Sequence, residues 1–373
     1  MLPAAIPFPR SAPLLMSAVL LASLAVAATS TSGAAASAAT CQVKNLDTGA
    51  TEDSLQKAVT LARAAHRLAV RGTCQGVTTI GKHLSIRGIP TEASGQPTLD
   101  GDGQGSVLTI KQGVRIAIKD LRIRGGRAAE GGGILNRGTV VLDGSTVISG
   151  NSAIRTGGGV MNRYGTLKLK GAASINGNTA SNGGGVANSY AGTLTLSGSS
   201  SIGHNTATSQ IGGGVDNDGT VTLNDASSIH HNVARQGGGV YNIGTLTLND
   251  VSSIHHNTAR SENGGGVSNY GRVTLNDSSS IRANEASSEG GGVRNYAYLT
   301  LNDASSIHHN TAGHDGGGVW NDGPLTLNDA SSIHHNTAGS WGGGYHDRFS
   351  YVVGGICCAS GNVYDNSPDD CSP

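Results

Sequence analysis

The chain has 373 residues, of which 58 are glycine, and only 3% of its residues are aromatic. A compact core in a chain of this length ordinarily contains many more large apolar side chains, so the composition favours an elongated repeat. The formal net charge is zero. The chain therefore lacks the basic field of a nucleic-acid-binding protein, and no nucleic-acid partner is predicted.

Residues 1–39 have the layout of a secretory signal peptide. Arg10 is the only charged residue before an apolar run from Leu14 to Val26, and small residues follow as far as Ala39. The run is shorter than the ~20 residues of a membrane-spanning helix, so a signal is favoured over the alternative of a membrane anchor. Cleavage is expected after Ala27 or Ala39. We expect a secreted protein, extracellular or at the cell surface, without a transmembrane span in the mature chain.

Residues 40–126 are predicted to form an N-terminal cap and the first, irregular coils of a repeat. Leu55, Ala58 and Ala62 recur at helical spacing, and the segment Thr51–Asp53 supplies an N-cap and an acidic first turn. This pattern predicts a short amphipathic helix that covers the open end of the first coil.

The five cysteines lie at the two ends of the predicted mature chain. In an exported protein this distribution predicts disulfides. We expect Cys41 to pair with Cys74, and Cys371 to pair with either Cys357 or Cys358, which leaves one free thiol. Their spacing does not match a zinc site, and neither a metal site nor a cofactor is predicted.

Residues 127–345 repeat a Gly-Gly-Gly-Val-x-Asn unit at intervals of about 26 residues. Each unit contains three strand-like pieces: Gly-Val-x-Asn, then Gly-Thr-Leu-Thr-Leu-Asn-Asp, then Ser-Ser-Ile-His-His-Asn-Thr-Ala. Apolar and polar residues alternate in the second piece, which is the period of a strand with one buried face. The sequence thus predicts an all-β fold, a single-stranded right-handed parallel β-helix with three-sided coils stacked about 4.8 Å apart.

Equivalent residues of successive coils should stack directly on one another. The third piece then provides an inward isoleucine column and, three residues later, a structural ladder of asparagine amides bonded to each other and to the turn backbone. The predicted ladder comprises Asn151, Asn178, Asn205, Asn232, Asn257, Asn284, Asn310 and Asn336.

Residues 346–373 are predicted to be a C-terminal cap. The segment Val363–Asn366 repeats the third piece once more, and Cys371 follows it.

The alternation of Gly-Gly-Gly-Val-x-Asn with Ile-x-x-Asn-x-Ala is similar to the GGA(I/L/V) and FxxN repeats of polymorphic outer membrane proteins. It resembles still more the right-handed parallel β-helix repeat proteins secreted by bacteria, within the pectin-lyase-like superfamily. The resemblance covers residues 77–366, although isoleucine replaces the aromatic residue of FxxN in every coil. It implies the fold strongly and an activity weakly, since the superfamily includes polysaccharide lyases and glycoside hydrolases as well as non-enzymatic proteins.

Two polar columns are candidates for metal binding. Paired histidines recur at His230–His231, His255–His256, His308–His309 and His334–His335, with His204 in an earlier coil. Stacked imidazoles can bind a transition metal, but a linear column lacks converging donors, so neutral rings beside a turn are the favoured interpretation. The aspartates that follow the second piece are expected to form turns rather than a calcium site.

The position just outside the inward valine varies most between coils, and this face is the predicted binding surface. Aromatic residues on or near it can stack on sugar rings or anchor a partner. The candidates are Tyr241, Tyr270, Tyr296, Tyr298 and Trp320.

A catalytic centre is not predicted, although an enzyme is not excluded. Lyases and hydrolases of this fold class hold their catalytic groups in a groove walled by long loops, and the short, near-constant turns of this repeat predict no groove. The only catalytic candidates are His346, Asp347 and Arg348, for which a degenerate last coil is the favoured interpretation. We therefore expect a non-enzymatic scaffold that binds a polysaccharide or cell-surface component, with a polysaccharide lyase or glycoside hydrolase as the alternative. The oligomeric state is not predicted.

Overall fold

The structure is a computed structural model that describes residues 40–90, 95–347, 362–367 and 369–372. The predicted signal peptide lies outside these residues, as do Arg348, Cys357 and Cys358.

The described residues form one short helix and four long sheets, in which strands of successive coils lie side by side. The threonine sheet contains the Thr-Leu-Thr-Leu pieces. Its strands are Thr51–Glu52, Gln42–Asn45, Arg67–Arg71, Leu84–Gly88, Arg115–Lys119, Thr139–Asp143, Thr166–Leu169, Thr193–Leu196, Thr220–Leu223, Thr245–Leu248, Arg272–Leu275, Tyr298–Leu301 and Leu325–Leu327. The isoleucine sheet contains the Ser-Ile-His pieces. Its strands are Thr73–Gln75, Thr98–Asp100, Arg122–Arg124, Val147–Ser149, Ser174–Asn176, Ser201–Gly203, Ser228–His230, Ser253–His255, Ser280–Arg282, Ser306–His308, Ser332–His334 and Val363–Tyr364.

The other two sheets complete each coil. The corner sheet is narrow, and its strands are Arg127–Glu130, Ser152–Thr156, Thr179–Ala180, Thr206–Ala207, Val233–Ala234, Thr258–Ala259, Glu285–Ala286, Thr311–Ala312 and Thr337–Ala338. The glycine sheet contains the Gly-Val-x-Asn pieces. Its strands are Thr78–Ile80, Leu108–Ile110, Ile134–Asn136, Val160–Asn162, Val186–Asn188, Val215–Asn217, Val240–Asn242, Val267–Asn269, Val293–Asn295, Val319–Asn321, Tyr345–Asp347 and Cys371–Ser372.

Neighbouring coils pair in parallel throughout these sheets, and only Gln42–Asn45 pairs antiparallel, with the strands on both sides of it. The predicted parallel β-helix is therefore confirmed. The third side of the coil is bent, because the residue before the ladder asparagine has a left-handed backbone. His256, for example, has φ +53°. This bend divides the predicted third piece into a strand of the isoleucine sheet and a strand of the corner sheet.

The core is a set of aliphatic columns, to which a regular coil contributes one residue each from the glycine and isoleucine sheets and two from the threonine sheet. In one coil Val240, Leu246, Leu248 and Ile254 are all fully buried. Each lies in register with the matching residue of the next coil. Burial of these repeated aliphatic side chains is the main driving force for stacking the coils.

The predicted asparagine ladder is present and buried. Asn257 Nδ2 donates to Asn284 Oδ1 at 3.0 Å and to the Ile229 carbonyl at 3.0 Å. Asn257 Oδ1 accepts from the backbone N–H of Asn232 at 2.9 Å. Each amide thus satisfies backbone groups at the bend as well as its neighbours in the ladder, and the chain of bonds continues to Asn366. A second buried ladder follows the glycine sheet and contains Asn136, Asn162, Asn188, Asn217, Asn242, Asn269, Asn295 and Asn321.

The triple glycine is required where the coils approach most closely. A Cβ atom on Gly265 would lie 2.4 Å from the Glu285 carbonyl oxygen, and Gly264 has φ +68°. The first position therefore needs a left-handed backbone, and the second has no room for a side chain.

The turn aspartates accept from backbone N–H groups, but from the turn one coil earlier and not from their own turn. Asp277 Oδ2 accepts from the N–H of Asp250 at 2.9 Å, and Asp250 accepts in the same way from Asp225 at 2.8 Å. These residues have φ of +55° to +58°, a conformation that aspartate tolerates better than most residues.

The N-terminal cap contains the predicted helix, which is shorter than its sequence pattern and spans Leu55–Leu61. Ser54 is its N-cap, with Oγ accepting from the Lys57 N–H at 3.3 Å. The expected cap at Thr51 is wrong, because Thr51–Glu52 forms an edge strand instead. Leu55, Ala58 and Val59 are buried, so the helix covers the end of the core.

The predicted disulfide between Cys41 and Cys74 is present, with a Cα–Cα distance of 4.6 Å. Cys371 is also disulfide-bonded, while both of its predicted partners lie outside the described residues. The last strands continue the sheets, since Val363 pairs with Ile333 and Cys371 pairs with Tyr345. Among the described residues, no helix has the length and apolar character needed to cross a membrane.

Candidate functional site

The outward residues of the glycine sheet form the candidate site, and we call them the axial strip. Each lies between the inward apolar residue and the asparagine of the second ladder. In coil order they are Leu135, Met161, Ala187, Asp216, Tyr241, Ser268, Arg294, Trp320 and His346. Although they point away from the core, none is fully exposed, and four of them are buried: Met161, Ala187, Ser268 and Trp320.

Side chains from the flanking turns account for this burial. Gln236, which precedes the triple glycine, donates from Nε2 to Ser268 Oγ at 3.0 Å and to the Tyr270 hydroxyl at 3.1 Å. In an earlier coil Glu130 contacts Arg163, which follows the asparagine. Side chains of the flanking turns therefore lie beside the strip in these coils, and we call the strip together with these side chains the groove. The turns of the regular coils are short, as the repeat predicts, so side chains rather than long loops lie beside the strip.

Four of the five predicted aromatic residues form one stack along the groove. Tyr270 lies 5.3 Å from Tyr241 and 4.6 Å from Tyr296, and Tyr296 lies 5.5 Å from Trp320 (ring centroids). Tyr298 is separate, because it begins a strand of the threonine sheet, where the Arg272 guanidinium covers its ring at 4.7 Å. Tyr270 and Tyr296 stack face to face, with 18° between the ring planes, whereas Tyr241 is tilted against Tyr270 and Trp320 is edge-on to Tyr296.

Arg294 ties the end of the aromatic stack to the wall. Its guanidinium carbon lies 4.5 Å from the Tyr296 centroid and 4.7 Å from the Trp320 centroid. It also forms an ion pair of 3.2 Å with Glu289. Cation–π contact and ion pairing together fix a flat guanidinium between two rings.

Asp216 is the carboxylate of the axial strip. Burial, together with a smaller contribution from the nearby charge of Asp218, raises the pKa of Asp216 to about 7. Burial also raises the pKa of Tyr241 to about 12. A cavity of about 200 Å³ adjoins this part of the groove and is lined by Gln210, Ile211, Arg235, Gln236 and Glu262.

The repeat pattern by itself marks Asp216 as unusual. Asp216 is the only carboxylate among the residues of the axial strip. No such signal marks Gln236, Glu262 and Glu289. They lie in turns before a triple glycine, and where these turns point depends on the bend of the third side.

His346 and Asp347, the two catalytic candidates among the described residues, are not brought together. His346 is half-buried in the strip, whereas Asp347 is buried on the opposite face of the same strand, as alternation along a strand requires. His346 Nδ1 instead lies 2.8 Å from Ser372 Oγ.

The paired histidines lie where the third side bends. Within a pair the two Nδ1 atoms are 2.7–3.0 Å apart. Rings in adjacent coils stack nearly parallel, as for His231 and His256 at 5.0 Å. Burial lowers the pKa of His230 to about 4, and burial with the charge of Arg282 lowers that of His255 to about 3. The His230 and His255 rings are therefore neutral at neutral pH.

Comparison with known proteins gave no match to this chain: no family model, no curated protein and no solved structure is significantly similar. A function must consequently be inferred from the residues of this chain alone.

Proposed function

We propose that the chain is a secreted, non-enzymatic β-helical scaffold that binds a glycan or another cell-surface polymer in the groove of the axial strip. The observation that carries this proposal is the continuous row of Tyr241, Tyr270, Tyr296 and Trp320 on successive coils. A row with one aromatic residue per coil matches a linear ligand that lies along the axis, since both repeat in the same direction.

The chemistry of the groove suits a hydroxyl-rich ligand. Aromatic rings and tyrosine hydroxyls alternate with polar groups at the wall, such as Gln236 and Glu262. Binding sites of this kind combine aromatic contact area with a few placed hydrogen-bonding groups. The Cys41–Cys74 disulfide supports secretion, because such bonds persist in oxidising compartments.

The proposal is tested with the disulfide-bonded chain on a panel of insoluble plant, bacterial and host polysaccharides, with and without Ca²⁺. Retention on at least one polymer is expected. Tyr270→Ala should abolish retention, because Tyr270 contacts both neighbouring tyrosines and is 39% exposed. Tyr298→Ala is the matched control, since Tyr298 is 51% exposed but belongs to another sheet. Equal loss in both variants, or no retention on any polymer, would overturn the groove as the binding site.

One observation favours the enzymatic alternative, a polysaccharide lyase or glycoside hydrolase. A groove carboxyl with a pKa near neutrality is typical of general acids and bases, and Asp216 is such a group. The same incubations therefore include assays for released reducing ends and unsaturated products. Product release that is lost in Asp216→Asn would replace the scaffold by an enzyme.

A further inference from the structure

We propose that His204, His230 and His231 form a binding site for a divalent transition-metal ion that prefers square-planar nitrogen coordination, such as Cu²⁺ or Ni²⁺. Each of the three imidazoles offers a ring nitrogen, and these nitrogens all lie within 4.8 Å of one another. The site is independent of the groove, because it lies at the bend between the isoleucine and corner sheets.

The backbone explains why the donors converge. His231 has φ +52° and His204, one coil earlier, has φ +55°. This left-handed conformation turns the His231 ring towards the residue before it, so that His230 Nδ1 and His231 Nδ1 are 3.0 Å apart. The donors at this corner are therefore closer together than rings in a simple linear column would be.

A glycine provides the space for this cluster. Gly203 precedes His204 and pairs with His230 in the next coil. A Cβ atom at Gly203 would lie 2.5 Å from His230 Cε1. The His230 ring thus occupies the place that a side chain takes in later coils, and it lies 5.5 Å from the His204 ring (centroids).

The distance between the Nδ1 atoms selects the geometry. With metal–nitrogen bonds of about 2.0–2.1 Å, two nitrogens about 3.0 Å apart subtend about 91–97° at the metal. This angle matches adjacent ligands of a square-planar ion, whereas tetrahedral zinc requires a separation of about 3.3 Å. The exposed His204 ring can rotate about its side-chain bonds to supply the third nitrogen.

The other histidine pairs form a comparison set within the same chain. His308 and His309 have an Nδ1–Nδ1 distance of 2.7 Å, but the preceding coil places Arg282 and Ala283 at the matching positions. A cation and a methyl group replace the third donor there. We therefore expect a weaker, two-nitrogen site at that pair.

The test is titration of the full disulfide-bonded chain with Cu²⁺ alone, followed by electron paramagnetic resonance and calorimetry. One tight site with a three-nitrogen signature is expected. His204→Asn should weaken it by at least about tenfold. Loss of an outer-shell partner alone typically costs about 10–100-fold in metal affinity, and loss of a direct ligand should cost no less. Asparagine tolerates the left-handed backbone, so the fold should persist, and an unchanged melting temperature without metal checks this.

His309→Asn is the matched control, because it makes the same change at an equivalent left-handed position, φ +55°. It should leave the tight site unchanged in affinity and spectrum. Absence of a saturable site would overturn the proposal. Equal weakening by the two variants would also overturn it and would assign the binding to unspecific contact with exposed histidines.

Discussion

At the scale of single residues, the ladder asparagines stabilise the coil because each satisfies several buried polar groups at once. Asn257→Ala would leave the Asn232 N–H, the Ile229 carbonyl and the Asn284 amide oxygen without one bond each. Every buried group left without a partner costs about 1–3 kcal/mol. We expect a loss of at least about 3 kcal/mol in the free energy of unfolding, measured by urea denaturation.

The control for this change is Thr247→Ala, on the outward face of the same coil. Thr247 is half-exposed, so its replacement should change stability by less than about 0.5 kcal/mol. Similar losses in the two variants would contradict the role of the ladder.

Asp216 should make stability depend on pH. Its folded-state pKa of about 7 is above the ordinary value of 3.8, so the folded chain binds more protons than the unfolded chain between these values. The contribution of this protonation to the stability of the folded chain is complete below pH 3.8 and is lost as the pH rises towards 7. Asp216→Asn keeps the shape without the charge, and we expect it to raise the melting temperature more at pH 8 than at pH 5.

The matched comparison for Asp216→Asn is Asp225→Asn, at a solvated turn where the carboxylate accepts from the Gly198 N–H. It should not raise the melting temperature at pH 8. A gain at pH 8 from both variants would point to the reduced overall negative charge instead of the buried carboxyl.

At the scale of secondary structure, the left-handed residue at the bend decides the path of the third side. Ala283 occupies this position with φ +51°, where a left-handed backbone costs an L-residue about 1–2 kcal/mol. Ala283→Gly should therefore raise the free energy of unfolding by about 0.5–1 kcal/mol.

Ala286→Gly provides a control of opposite sign three residues further along. Ala286 is buried in a strand of the corner sheet, so glycine there removes a packed methyl group and adds chain entropy, at a cost of about 1–2 kcal/mol. Denaturant titration of both variants should give shifts in opposite directions, and shifts of the same sign would contradict this account of the bend.

The bend also shows which parts of the structure the sequence could predict. Strand order, register and the Asn257 ladder follow from exact repetition, because stacking must place like residues together. The path of the chain within a coil does not follow from repetition. His256 gives no sign of a left-handed backbone until it is compared with Gly150 and Gly177, which occupy the same position in earlier coils. The Nδ1 contacts and the side-chain walls of the groove both depend on that path, and both were missed for this reason.

At the scale of the whole molecule, each coil contacts only its neighbours, so stability should be nearly a sum of like units. Deleting residues 293–318 joins Gly292 to Val319, which occupies the same register as Val293. The buried column and both ladders then remain continuous, because Asn321 and Asn336 replace Asn295 and Asn310.

We expect the chain without this coil to unfold cooperatively, with an unchanged circular dichroism shape and a melting temperature only slightly lower. Deleting half as much, residues 293–305, joins Gly292 to Ser306 and removes the strands of the glycine and threonine sheets from one coil. The inward columns would then be offset, and the native signal should be lost. If the shorter deletion were tolerated as well as the longer one, the register between coils would not be what specifies the fold.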